Sequence, residues 1–160
     1  MRFGFLAGCA TAVLGRTALR ELLLFKFRHD VQALNGGDYR PLLASYRDDA
    51  VLRFADGDHR WAGEHRGRPA IAAFLQSFVD AGLRGEISAV YFGGAPWRMT
   101  IVARFDDRAD APDGSPLYRN RTVLLVRTRW GRIVEQEDFY VDTARIDEFD
   151  ARLRELHDNT

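Results

Sequence analysis

The sequence predicts an α+β domain in which a curved antiparallel sheet wraps around helices, with the helices mostly N-terminal and one more at the C-terminus. Three observations lead there. Apolar residues in the first half recur at spacings of three and four, those in the second half alternate with polar ones over long runs, and turn-forming residues fall between the segments. At 160 residues, 46% of them hydrophobic, the chain suits one domain that buries a core without disulfides or metals.

Residues 1–16 read as an apolar extension ahead of a domain spanning 17–157. Thr11 is the one polar residue between Phe3 and Gly15, but a membrane span needs about 18 apolar residues and Arg16 and Arg20 stop the run short. Leu6-Ala7-Gly8-Cys9 is similar to a lipoprotein cleavage box, with a leader too short for one. Membrane contact is therefore expected only if this segment acts as an anchor, and the expected location is the cytoplasm.

Within the domain, Leu19, Leu23, Phe27, Val31 and Leu34 share one helical face, which Asn35-Gly36-Gly37 brings to an end. Asp38 can cap a short second helix running through Tyr46. Residues 50–55 and 59–64 read as two short strands about the Asp56-Gly57 turn. Pro69 sits in the first turn of a third helix, with Ile71, Phe74, Leu75 and Phe78 inward and Gly82 at its close.

The period then changes to two. Trp97, Met99, Ile101, Ala103 and Phe105 oppose Arg98, Thr100, Val102, Arg104 and Asp106, and residues 107–116, rich in Asp, Pro and Gly, read as a hairpin loop. The strand from 118 to 130 puts Arg119, Arg121, Arg127 and Arg129 on one face and uncharged residues, among them Tyr118 and Asn120, on the other. A tight turn at Trp130-Gly131-Arg132 leads into a strand over 133–141. Asp142 can cap the last helix, whose stripe is Ile146, Phe149, Leu153 and Leu156.

Charge and motifs narrow the function. Lys plus Arg and Asp plus Glu both number 23, and this balance argues against nucleic acid as a partner. The single cysteine rules out an intramolecular disulfide and a cysteine-type zinc site. There is no glycine-rich phosphate loop, no GxSxG and no HExxH, and no histidine or carboxylate recurs at i, i+4 near His59 and His65. Neither a metal nor a cofactor is expected.

The element order, the segment Trp61-Ala62-Gly63-Glu64-His65-Arg66-Gly67-Arg68 leading into a helix with Ile71 and Phe74, and the ending Gly131-Arg132-Ile133-Val134-Glu135 through Asp138, Tyr140 and Asp142 resemble the nuclear transport factor two-like superfamily. The SnoaL-like group, with its polyketide cyclases, ketosteroid isomerases and limonene epoxide hydrolases, is the nearest in pattern. The resemblance, over about residues 17–157, implies a cone-shaped sheet around a deep apolar pocket, a small hydrophobic or cyclic ligand, and a homodimer formed through the outer sheet face.

It also implies site residues. Isomerases and cyclases of this kind need a carboxylate in an apolar site and a donor for the developing oxyanion. Asp138, on one strand face with Gln136 and Tyr140, matches the first role and Tyr140 the second. Arg104-Phe105-Asp106 with Asp138 matches the Arg-x-Asp pair and second aspartate of limonene epoxide hydrolase, although Arg53-Phe54-Ala55-Asp56 stands where that enzyme has a tyrosine and an asparagine. Phe54, His59, Trp61, Trp97, Tyr118 and Asn120 are the candidate substrate contacts. The pocket accommodates either a cofactor-independent isomerase, cyclase or hydrolase or a ligand-binding domain without turnover. In a third reading the arginine-lined sheet face docks an acidic partner or a second copy.

Overall fold

The computed structural model describes the backbone of residues 5–158 and the side chains of residues 18–156. Helix α1 (Phe5–Asn35) runs unbroken through Arg16. Cys9 and the other side chains of residues 1–17 lie outside the described residues. At its far end Gly37 adopts φ 93, and the N–H groups of Gly37 and Asp38 donate back to the carbonyls of Leu34 and Ala33. That geometry satisfies the last carbonyls of the helix, as its glycines foretell. Among the described residues no helix is long and apolar enough to cross a membrane.

The next helix, α2, is only Arg40–Leu43. Tyr46, expected inside it, instead opens β1 (Tyr46–Phe54), because pairing with the sheet claims the backbone at Ser45 and Tyr46: the Ser45 carbonyl accepts from Ile133 N–H. Strand β2 (Gly63–Arg66) is shorter than expected, since residues 59–62 bend away toward the C-terminal helix instead of running along β1. Helix α3 (Gly67–Asp80) follows, with Ile71, Phe74 and Leu75 buried.

Four long strands come next, one more than the alternation suggested. They are β3 (Arg84–Ala95), β4 (Arg98–Asp110), β5 (Pro116–Arg129) and β6 (Arg132–Tyr140). Strand β3 escapes detection because its register against β4 shifts between Ile87 and Ala89, which moves the inward face from odd to even positions midway. The sheet order is β2-β1-β6-β5-β4-β3, with β1 parallel to β6 and every other pairing antiparallel. Helix α4 (Ala144–Asp158) closes the chain against β5.

Two clasps fix the helices on the concave face. Near the end of α1, the Asn35 amide donates to the Gly85 carbonyl at 2.8 Å while its oxygen accepts from Gly85 N–H at 3.0 Å, so one side chain caps the free edge of β3. At the other end of the sheet, Asp150 on α4 is fully buried and accepts from Arg60 N–H, Arg60 Nε and Arg154. Burial alone would raise the Asp150 carboxyl, but the hydrogen bonds from Arg60 and Arg154 outweigh it and hold its pKa below the usual range. This clasp draws residues 59–62 inward and buries Trp61 completely, stacked on Phe149 at 5.9 Å and edge-on to Phe78.

Trp61→Ala would leave a ring-sized void among rigid aromatic neighbours. Stability in urea or guanidinium denaturation is expected to fall by about 3–5 kcal/mol; a loss under about 1 kcal/mol would mean that Trp61 is not the centre of this core.

Candidate functional site

Strand alternation decides what faces the cone. On β4 the buried positions are Met99, Ile101, Ala103, Phe105, Asp107 and Ala109, so the apolar face carries a carboxylate. On β6 the same logic turns Ile133, Gln136 and Asp138 inward, with Tyr140 half-buried beyond them. Thr122 of β5 lies between the two strands, opposite Phe105 on one side and Tyr140 on the other. Asp107 and Asp138 therefore flank one patch of concave sheet.

Each carboxyl is held by one neutral donor. Thr122 Oγ1 donates to Asp107 Oδ2. Gln136 Nε2 donates to Asp138 Oδ1 at 2.9 Å, and the Gln136 oxygen accepts from the Tyr46 hydroxyl at 2.5 Å, which fixes the amide's orientation. Among the described residues neither aspartate has an arginine or lysine within ion-pair distance. Burial consequently dominates: it pushes the Asp138 carboxyl up to about 8, against the Gln136 bond and with help from the Asp107 charge. Asp107 is pushed up to about 6, again by burial, with Thr122 opposing and Asp106 adding to it. Burial also drives the Tyr46 and Tyr140 hydroxyls well above their ordinary range, and both remain protonated donors.

Two chambers lie between α1 and the sheet. The acid chamber, about 90 Å³, is walled by Phe27, Val31, Phe74, Phe105, Thr122, Gln136, Tyr140 and both aspartates. A rim chamber of about 310 Å³ adjoins it, sharing Phe27, Leu42 and Ile133. Its outer walls are the tips of two hairpins. There Trp130 N–H donates to the Trp97 carbonyl at 3.0 Å, and the two-residue turn after β5 places both Trp130 (φ 51) and Gly131 (φ 75) in the left-handed region. A tryptophan that is 81% exposed on strained backbone is unusual for a residue with no core role. On the α1 side, Lys26, Asp30 and Ser45 form a closed hydrogen-bonded triangle along the wall.

The expected site residues divide accordingly. Asp138 and Tyr140 face the acid chamber, and Trp97 lines the rim. Arg104 and Asp106 sit on the outer face, about half exposed and 4.0 Å apart, so the sheet separates them from Asp138 and no arginine-bridged pair of aspartates forms. The residue one place further on, Asp107, is the inward one; extending the β4 alternation two residues past Phe105 identifies it, but the Asp-, Pro- and Gly-rich composition reads as a loop. Phe54, His59 and Trp61 are core residues: Phe54 packs on Phe74 and Tyr140, and His59 packs edge-on to Phe54. Burial holds the His59 ring below its usual pKa although Asp147 and Asp150 pull it upward. Tyr118 stacks on Phe149, with its hydroxyl accepting from Asn120, which also donates to the Asp142 carbonyl; this pair braces α4 outside the acid chamber. In the outer arginine row, Arg119 and Arg127 are paired with Asp110 and Glu135. Among the described residues no three His, Cys, Asp or Glu side chains converge as a metal site.

The family defined as the SnoaL-like domain matches residues 27–136. Among solved structures, an NTF2-like protein of unknown function from Burkholderia pseudomallei superposes with a TM-score of 0.67 at 23% identity, covering 80% of this chain and 96% of its own. A cystatin-like-fold protein of unknown function from Xanthomonas campestris does so with a TM-score of 0.58 at 22% identity, covering 80% and 97%. TerC, co-crystallised with polyporic acid, gives a TM-score of 0.64 at 17% identity over 81% and 98%. At these identities the likeness is one of fold. No curated protein matches the chain in sequence.

The raised Asp138 carboxyl makes stability depend on pH with a definite sign. Between about pH 4 and pH 8 the folded state holds a proton that the unfolded state has released, so stability falls as pH rises through this window. Asp138→Asn cannot ionise. Its stability relative to the parent, followed by denaturant titration, is expected to grow by on the order of 3–5 kcal/mol from pH 4 to pH 9; a difference that stays constant with pH would mean that Asp138 ionises freely.

Proposed function

This chain belongs to the SnoaL-like domain family, and on that premise we propose that it catalyses proton transfer next to the carbonyl of a small cyclic, hydrophobic molecule, without a cofactor. The observation that carries this reading is the pair of inward carboxyls with separated pKa values, about 6 for Asp107 and about 8 for Asp138. At neutral pH the first is mainly a carboxylate and the second mainly an acid, which is the division of labour that enolisation needs.

In this reaction Asp107 takes the proton from the carbon beside the carbonyl, and the C–H electron pair moves into an enolate. Asp138 donates its O–H hydrogen bond to the developing oxyanion, with the Tyr140 hydroxyl as a second donor on the same wall. Return of the proton from Asp107 to a different carbon completes an isomerisation; alternatively, the enolate carbon attacks a second carbonyl and the alkoxide so formed takes the proton back from Asp107, which completes a ring closure. The Tyr46–Gln136 line holds Asp138 in place for this role. Size supports the same reading: a chamber of about 90 Å³ takes the reacting end, and the rim chamber of about 310 Å³, within the range of small-molecule sites, takes the remaining ring system.

The test is deuterium uptake from heavy water into α-tetralone and 2-tetralone, followed by NMR. The rate is expected to rise through about pH 6 and fall through about pH 8, and to drop about 10²- to 10⁴-fold in Asp107→Asn. Exchange no faster than buffer, or unchanged in both Asp107→Asn and Asp138→Asn, leaves a ligand-binding pocket without turnover.

A further inference from the structure

The hairpin tips that form the outer wall of the rim chamber carry a surface for which the acid chamber has no use. Trp97, 56% exposed, lies in the turn between β3 and β4, and Trp130, 81% exposed, in the turn between β5 and β6. The hydrogen bond from Trp130 N–H to the Trp97 carbonyl joins the two tips, so the tryptophans stand on adjacent backbone. At φ 51, Trp130 adopts a conformation that costs a bulky residue energy and that asparagine takes readily ahead of a turn glycine. The turn thus holds a large apolar ring out in water where a small polar residue would fit more easily.

Charge around these rings has one sign. Arg98, Arg129 and Arg132 are exposed beside them, and no Asp or Glu occurs over residues 93–98 or 128–134. Further down the same strand Arg127 is paired with Glu135, but among the described residues the three arginines of the tips have no carboxylate partner. Arg129 and Arg132 are also direct cross-strand neighbours, a placement of like charges that costs stability in water. An anionic surface laid over the tips would turn that repulsion into attraction.

Helix α1 brings a third feature to this end of the domain. It runs along β3 toward the tips: Asn35 meets Gly85, and Arg20 Nη2 reaches the Phe92 carbonyl at 3.5 Å. Leu19 and Leu23 line the rim chamber together with Trp97 and Trp130. The helical backbone continues in the same direction from Leu19 to Phe5, about 20 Å at the usual rise per residue. Between Phe5 and Gly15 its sequence has Thr11 as the one polar residue.

We infer that this end of the domain docks on an anionic lipid bilayer, lying on it rather than crossing it. Trp97 and Trp130 sit at headgroup level, where an apolar ring with one polar N–H is favoured. Arg98, Arg129 and Arg132 meet the lipid phosphates, each strengthening attachment by about fivefold. An apolar helical segment and a basic patch are the two signals that lasting attachment takes. Neither Asp107 nor Asp138 takes part, so the inference stands apart from the proton-transfer reading.

The experiment is co-sedimentation of the full chain with vesicles of phosphatidylcholine alone or mixed with an equal part of phosphatidylglycerol. Binding is expected to the mixed vesicles at low salt, and to weaken as salt rises. The triple substitution Arg98→Gln, Arg129→Gln, Arg132→Gln should weaken it about 100-fold. Trp130→Asn, which suits the turn and keeps the fold, should weaken it about tenfold. Brominated lipid in the mixed vesicles should quench part of the tryptophan emission of the intact protein and less of it in Trp130→Asn, because Trp61 is fully buried and stays out of reach. Absence of binding to the mixed vesicles, equal binding to both kinds, or binding unchanged in both variants overturns the inference. So does a dimer of the free protein that Trp130→Asn dissociates, since the tips would then belong to a contact between two copies.

Discussion

The site depends on α1 staying down on the concave sheet. Phe27 meets Phe105 edge-on at 6.0 Å, and Asn35 grips both backbone groups of Gly85; between these contacts lies the acid chamber. If the helix lifted, water would reach Asp107 and Asp138 and their desolvation would disappear, and with it the difference between a base and an acid at neutral pH. The packing of one helix thus sets the electrostatics of two side chains on the sheet beneath it. The Lys26–Asp30–Ser45 triangle adds a polar tie from the same helix to the turn ahead of β1.

Much of this was legible in the sequence, but unevenly. Period-two patterns in β4, β5 and β6 assign inner and outer faces correctly, because each is a long strand with one polar face. On that basis Asp138 and Tyr140 are placed beside each other without a structure. Asp107 is lost for a compositional reason, since the run Asp106-Asp107-Arg108 followed by Asp110, Pro112 and Gly114 looks solvated, although β4 and β5 continue their pairing as far as Asp110 and Pro116. Strand β3 is lost to its bulge. His59 and Trp61 are misjudged for a third reason: their inward direction comes from the tie between Arg60 and Asp150, a contact across 90 residues that no local pattern encodes.

Asp150 and Asp138 form an internal control on what burial means. Both are aspartates buried to within a few per cent of complete exclusion from solvent. Asp150 receives two arginines and is held below its ordinary pKa, whereas Asp138 receives a glutamine and a neighbouring carboxyl and rises to about 8. The sequence is rich in arginine, so a cationic partner for Asp138 was readily available to this fold. Pairing would make Asp138 a structural anion like Asp150; leaving it with neutral donors costs stability above neutral pH. A protein that keeps two such groups in one buried chamber keeps a stability cost that packing alone does not require. The proton transfer proposed above, at the carbon next to a bound carbonyl, would give that cost a use, because the same desolvation that weakens the fold makes Asp107 a stronger base and Asp138 a neutral donor.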